Sequence, residues 1–348
     1  MASHDAQFYF DRASETLSNA DPDRTWSYRW DLSSARSDFT RAIRLNPNFI
    51  AAYTNRAGIE TTRGDTEGAI EDYTAAIRLN PQDPNPFVQR AAIELTRHDF
   101  ERALGDYDKA IELQPGNRDA YRGRIEIKEM QNDFAGAVME RVHMIEEMSF
   151  SFDISNLTNG GFFVRDPSRW NNRLLRQLDR ALETDPDFAW GYYYRGVIKS
   201  LNSDPKGATV DFQRCKTLPD IMARDYAAIH IWLVQACNGE REKADDGLRV
   251  YCQNRTPATS ADWQMSIAKY LLNQISERDF CKAIDSADTG RELSEFWYYS
   301  GMKHLLTGDK AGASDYFQKS LTARPRSCAV FLSARTELDS LNPAGPTE

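Results

Sequence analysis

Pro47, Pro81 and Pro115 stand 34 residues apart, and each closes a near-identical phrase: RAIRLNP, AAIRLNP and KAIELQP. A fixed period of this length marks a repeat architecture, in which one unit buries its apolar side only by stacking on a neighbour. Counting back from each proline, small residues recur five positions earlier (Ala42, Ala76, Ala110), aromatics eight earlier (Phe39, Tyr73, Tyr107) and alanines twelve earlier (Ala35, Ala69, Ala103). Those offsets put all three on one face of a helix, with small residues admitting a partner helix and the ring filling the gap beside them. The proline, lacking an N–H, ends that helix and forces a turn. Upstream, Tyr53 with Ala57 and Phe87 with Ala91 mark a second helix in each unit.

These positions in register resemble the tetratricopeptide repeat family. The likeness continues past the middle of the chain: RALETDP ends at Pro186, Tyr192, Gly196, Ala208 and Phe212 supply a further unit, and Trp297, Gly301, Ala313, Phe317 and Pro325 another. The resemblance implies an all-α fold, a right-handed superhelix (α-solenoid) of about eight helix-turn-helix repeats with an irregular insert in the middle. It also implies a concave groove holding a peptide or protein, and no chemistry.

Length does not bound domain count in such a chain, because a solenoid grows by adding units. Net charge is −9 over 348 residues and no basic tract is present, so nucleic acid and anionic membrane are poor partners. No apolar run approaches the ~20 residues that span a bilayer. The five cysteines (Cys215, Cys237, Cys252, Cys281, Cys328) lack metal-ligand spacing and read as reduced, buried small hydrophobes. No cofactor or metal is expected. Cytoplasmic residence fits best, with a periplasmic or outer-membrane-associated site as the alternative if a leader was removed.

Four stretches organise the chain: an N-terminal array over 1–148, a phenylalanine-rich insert over 149–170, a C-terminal array with an end-cap helix over 171–341, and a tail over 342–348. The first helix is expected over 3–19 with Phe8 and Leu17 on its buried side, followed by a linker holding Trp26, Tyr28 and Trp30 as an end cap. Arg63-Gly64-Asp65 reads as turn chemistry, Gly stopping one helix and Asp capping the next, and Gly308-Asp309 repeats it. His143, Glu146 and Glu147 share part of a helix, a spacing that suits a surface ion pair. The insert, with its Asn-Gly-Gly turn, is a structural plug or a gate over the groove. Residues 327–341 read as a solvating end helix.

In the family the groove is lined by the first helix of each unit. Mapped by position, that surface offers Thr54 and Asn55, then Asn85 and Gln89, then Arg122 and Glu126; in the second half it turns aromatic with Trp190, Tyr193 and Tyr194, then Tyr298 and Tyr299. The first set suits hydrogen bonds to an extended backbone, and the second suits anchoring contacts. One subfamily holds chaperone tails through a clamp of Lys, Arg and Asn. Asn55 stands at a clamp position, but Asn85 and Gln89 replace the basic residues, so the clamp is incomplete. The last third, through FWYYSGMKHLLTGDKAGASDYFQKSL and FLSARTEL, is similar to NlpI-type bacterial lipoproteins, which pair as homodimers and act as envelope adaptors; their lipid-carrying cysteine is missing, the first here being Cys215. The reading is a non-enzymatic adaptor that binds a peptide segment of a protein partner, with no catalytic residues. The alternatives are a homo-oligomeric scaffold and a hydrolase built from the insert with His143 and Glu147. Replacing Tyr193 and Tyr194 with alanine should abolish capture and leave the fold intact.

Overall fold

A computed structural model of the chain describes residues 2–19, 25–148, 167–255, 262–286, 291–323 and 327–341, with side chains omitted at 2–3, 25–30, 148, 167–173 and 285–286. Among the described residues the secondary structure is entirely helical, and the chain divides into two compact units, Met1–Ile127 and Lys128–Glu348.

The first unit holds α1 (Ala2–Ser18), α2 (Thr25–Leu45), α3 (Ile50–Arg63), α4 (Thr66–Leu79), α5 (Pro84–Thr96), α6 (Phe100–Leu113) and most of α7 (Arg118–Met130), within which the division falls. Each helix packs on the next from α1 through α6. The expected core triads Ala35–Phe39–Ala42, Ala69–Tyr73–Ala76 and Ala103–Tyr107–Ala110 are all buried. Phe8 is a correction: it is 58% exposed, while Ala6 and Ala13 are buried and Phe10 and Leu17 pack beside them. Positions 6, 10, 13 and 17 make one helix face, and Phe8, two residues off it, points away. A second correction is the start of α2 at Thr25, which places Trp26, Tyr28 and Trp30 in its first turns and not in a linker.

The turns between helices follow one rule. Gly64 and Gly308 take left-handed φ values of 81° and 86°. Asp65 then accepts from the Gly68 N–H at 3.0 Å, and Asp309 from the Gly312 N–H at 2.9 Å, as the sequence predicts. In other hairpins a side chain is forced into the same conformation: His98, Asn132 and Ser203 have φ of 60°, 61° and 61°, each followed by a capping aspartate.

A repeating ion-pair ladder joins the hairpins. Arg56 on α3 makes a bidentate pair with Asp72 on α4 at 2.7 and 2.6 Å and donates to Thr40 on α2 at 3.1 Å, each partner 16 residues away. Arg90 repeats this with Asp106, at 2.7 Å for both bonds, and with Thr74 at 2.8 Å. A planar guanidinium fork is suited to this, holding a carboxylate with two donors while the third reaches back to the preceding repeat.

The second unit contains α8 (Phe134–Met148), α9 (Pro167–Thr184), α10 (Ala189–Leu201), α11 (Pro205–Cys215), α12 (Ile221–Cys237), α13 (Arg241–Asn254), α14 (Trp263–Leu271), α15 (Glu277–Lys282) with a 3₁₀ turn at Ala283–Ser286, α16 (Glu292–Leu306), α17 (Lys310–Thr322) and α18 (Cys328–Leu341). The ladder recurs: Arg195 on α10 pairs with Asp211 on α11 at 2.9 and 2.6 Å and with Asp179 on α9 at 2.8 Å. Gly196 and Gly301 are set by close packing, since a Cβ there would lie 2.6 Å from the Phe212 ring and 2.7 Å from the Phe317 ring. Of the insert at 149–170, residues 149–166 lie outside the described residues, as do Pro325 and the tail, and Pro167 opens α9. All five cysteines are free; Cys215 and Cys328 are buried as expected, whereas Cys237 and Cys281 are exposed.

The end helix is the largest departure from expectation. Helix α18 is not solvating: Cys328, Ala329, Val330, Ser333 and Ala334 are buried, and it packs on α8, α10, α16 and α17. Its buried side is made of small residues, which lets it lie close against the helices it crosses.

Candidate functional site

The groove residues expected from the sequence fall into two environments. In the first unit, Asn55 on α3, Asn85 and Gln89 on α5, and Arg122 on α7 are exposed, and Thr54 is half-buried. Asn55 and Gln89, one period apart, hold equivalent places in consecutive repeats, and Thr54 and Arg122, two periods apart, hold equivalent places with one repeat between them. Thr54 donates to the Ala51 carbonyl at 3.1 Å, and Arg122 makes a long 3.4 Å contact with Asp119. The side-chain amides of Asn55, Asn85 and Gln89 have no protein partner among the described residues. They present donors and acceptors to solvent.

The second unit is different. Tyr193 and Tyr194 are 3% and 6% exposed, and Tyr298 and Tyr299 are 3% and 0% exposed. The expected open aromatic groove is therefore corrected: Cys328 and Ala329 of α18 share a core with Tyr193 and Tyr194, and Val330 and Ala334 share one with Tyr298 and Tyr299. The alanine substitutions of Tyr193 and Tyr194 would cut into this core, at a cost of several kcal/mol, and would not leave the fold intact. The helix spacing of 329, 330, 333 and 334 was the signal available for the burial of α18, but its residues are too small and too mixed with polar ones to be conspicuous.

Where α18 begins, Glu146 holds it. The Glu146 carboxylate accepts from the Cys328 backbone N–H at 3.2 Å and from Arg291 at 3.3 Å, and the His143 ring lies 3.7 Å away. Hydrogen bonding to Glu146 raises the His143 pKa above its ordinary value, against a smaller opposing effect of burial. His143 thus faces Oε2 of Glu146, whose Oε1 takes both the Cys328 N–H and Arg291; of the other parts of the expected hydrolase arrangement, Glu147 is half-buried on α8 and residues 149–166 lie outside the described residues.

Beside this anchor is a cavity of about 220 Å³. One wall is aromatic: Trp190 stacks on Tyr194 with ring centres 5.8 Å apart, meets Tyr193 edge-on at 5.5 Å and approaches Tyr226 at 6.2 Å. The Trp190 indole N–H donates to Asp220 at 2.9 Å, which fixes the ring's orientation. The lining also includes Glu146, Arg291, Glu292 and Glu295, together with the exposed His143 and Met222. Glu295 is 2% exposed and accepts from the Tyr226 hydroxyl at 2.9 Å and the Trp263 indole N–H at 2.6 Å. Burial pushes its carboxyl up to about 7, despite those two donors. Behind the aromatic wall, Tyr193 Oη and His230 Nε2 lie 3.1 Å apart, and burial pushes His230 down to about 3, so its ring is neutral. Among the described residues, no group of three or more His, Cys, Asp or Glu could hold a metal ion, and no helix is long and apolar enough to cross a membrane.

Paired helices, inter-repeat ladders and a recurring small–aromatic–small core define a helical-repeat protein of the solenoid class. The tetratricopeptide repeat family model matches residues 30–84 and 89–140, which assigns tetratricopeptide repeats to that part of the chain. Solved structures similar to it include the first TPR of Spaghetti (RPAP3) bound to the HSP90 peptide SRMEEVD, with 20% identity over 38% of this chain and 95% of that one (TM-score 0.32). YrrB, a TPR protein with an unusual peptide-binding site, shows 15% identity over 62% and 87% of the two chains (TM-score 0.27). A tetratricopeptide repeat protein from Parabacteroides merdae ATCC 43184 shows 14% identity over 97% and 99% (TM-score 0.26). A comparison with curated proteins finds no match to the sequence.

Proposed function

We propose that the chain is a non-enzymatic adaptor that captures an extended segment of a protein partner on the first-helix face of its N-terminal unit. The observation that carries this reading is the set of exposed amides of Asn55, Asn85 and Gln89, without a partner among the described residues and two of them at equivalent positions of consecutive repeats. An extended peptide offers N–H and C=O groups in alternation, and a carboxamide can meet either. The net charge of −9 favours a protein over a nucleic acid as the partner. In the second unit α18 covers the equivalent positions Tyr298 and Tyr299, which favours the N-terminal face for a peptide.

The test is a pull-down with wild type and an Asn55→Ala, Asn85→Ala, Gln89→Ala triple variant, followed by titration with a synthetic peptide from whichever partner is recovered. All three side chains are exposed, so the variant should melt within a degree or two of wild type. Loss of the partner and at least tenfold weaker peptide binding are expected. Equal recovery by both proteins would remove this face from consideration.

A further inference from the structure

The cavity in the second unit shares no residue with the proposed peptide face and has a chemistry of its own. Its aromatic wall, Trp190, Tyr193, Tyr194 and Tyr226, offers ring faces with negative electrostatic potential. The lining also includes the carboxylates of Glu146, Glu292 and Glu295 and the guanidinium of Arg291, which pairs with Glu146 at 3.3 Å. Glu295 is the deepest of the three, and its hydrogen-bond donors, Tyr226 and Trp263, are both neutral. Among the described residues no cationic atom lies within ion-pair distance of it. The Arg291 charge acts on Glu295 from beyond ion-pair distance, and a carboxylate desolvated in this way, hydrogen-bonded by neutral donors, is stabilised further by a cation brought into direct contact with it.

Size narrows the ligand. At about 220 Å³ the cavity is smaller than the ~300–1,000 Å³ pockets that hold cofactors and drug-sized molecules, and matches one side chain. An anion would meet the carboxylates, and an apolar side chain would seal Glu295 from water without a counter-charge. A cation on an aliphatic stem suits a lining of both kinds, its charge near the carboxylate and its stem along the rings. His143 and Met222 of the lining are exposed, which gives such a group a way in.

We propose that this cavity receives a single lysine or arginine side chain of a protein partner, with the charged end at Glu295 and the stem against Trp190 and Tyr194.

The experiment is isothermal titration of the full chain with N-acetyl-arginine methylamide and N-acetyl-lysine methylamide. The citrulline and norleucine analogues serve as neutral controls, and n-butylammonium as a free amine. Saturable binding of at least one capped cationic residue is expected, at least tenfold tighter than its neutral analogue and weakened at least tenfold by Glu295→Gln. Absence of saturable binding by both cations, equal binding of the neutral analogues, or undiminished binding to Glu295→Gln would overturn the proposal. So would n-butylammonium binding more tightly than the capped residues, which would assign the cavity to a free amine. If Glu295→Gln does not fold, Trp190→Phe and Trp190→Leu decide the matter instead: retained affinity with the ring and lost affinity without it support the proposal, and equal affinity in both overturns it. The Asn55, Asn85, Gln89 triple variant should bind the capped residues like wild type, so failure at one site is not mistaken for failure at the other.

Discussion

Glu146 accepts a hydrogen bond from the backbone N–H of Cys328 at 3.2 Å, across 182 positions of sequence. Cys328 opens α18, where the first N–H groups of a helix lack intrahelical acceptors and the helix dipole favours a negative charge. A carboxylate from α8 therefore acts as a remote cap for the last helix, and Arg291 balances its charge.

Removing that cap should loosen α18. Glu146→Ala is expected to cost about 2 kcal/mol, combining the loss of a cap with an Arg291 left without its acceptor. Amide hydrogen exchange should rise across 328–341 while α3 to α6 stay protected. Unchanged protection of α18 would show that its apolar contacts alone hold it.

The ladder in the first unit predicts a larger effect. Arg90→Ala leaves Asp106, 10% exposed at its side chain, without its bidentate partner, and should cost about 3 kcal/mol. Arg90→Lys should recover less than half of this, since an ammonium cannot hold both carboxylate oxygens and Thr74 in one plane. Denaturant melts of the two variants measure it, and equal stability of Arg90→Lys and wild type would contradict the geometric argument.

Ser203 occupies the left-handed turn position that Gly64 and Gly308 fill elsewhere. Ser203→Gly relieves a Cβ clash of about 1–2 kcal/mol and adds some unfolded-state entropy, for a net gain of about 0.5–1 kcal/mol. A higher melting temperature is the expected reading, and a lower one would mean that the serine side chain compensates its own strain.

Two buried groups give opposite pH limbs. The Glu295 carboxyl is raised from an ordinary 4.5 to about 7, so the fold favours its protonated form. The stability it contributes is complete below 4.5 and is lost as pH rises through about 7. His230 is lowered from 6.5 to about 3, so the fold favours its neutral form, and its contribution is complete above 6.5 and is lost as pH falls toward 3. Glu295→Gln should therefore gain stability relative to wild type between pH 5 and pH 8, by roughly 2 kcal/mol at the upper end. A constant difference between the two proteins across that range would show that Glu295 titrates normally.

The repeat period made the helices, their order and most of the core legible, because Ala35, Phe39 and Ala42 recur as types at fixed offsets and burial depends on type and face. The ladder was equally legible in retrospect: Thr40, Arg56 and Asp72 reappear one period on as Thr74, Arg90 and Asp106. The destiny of Tyr193 and Tyr298 was not, because a groove position is exposed only if nothing lies over it. That cover comes from α18, whose small residues carry little hydrophobic signal, and from Glu146, whose partner is 182 residues away. Neither the cavity nor the perturbed Glu295 has a local pattern, since their parts come from α8, α10, α12, α14 and α16.

The contacts of α18 also determine how this protein can change in length. In the first unit each ladder joins only neighbouring hairpins, so one more block of the same period can slot in and re-form an equivalent bond at each new junction. The second unit is closed by a clasp: a single 14-residue helix must touch α8 at one end of the array and α17 at the other. An added hairpin between them would carry Glu146 out of reach of Cys328. The N-terminal half is free to evolve by duplication, and the C-terminal half has a counted number of parts.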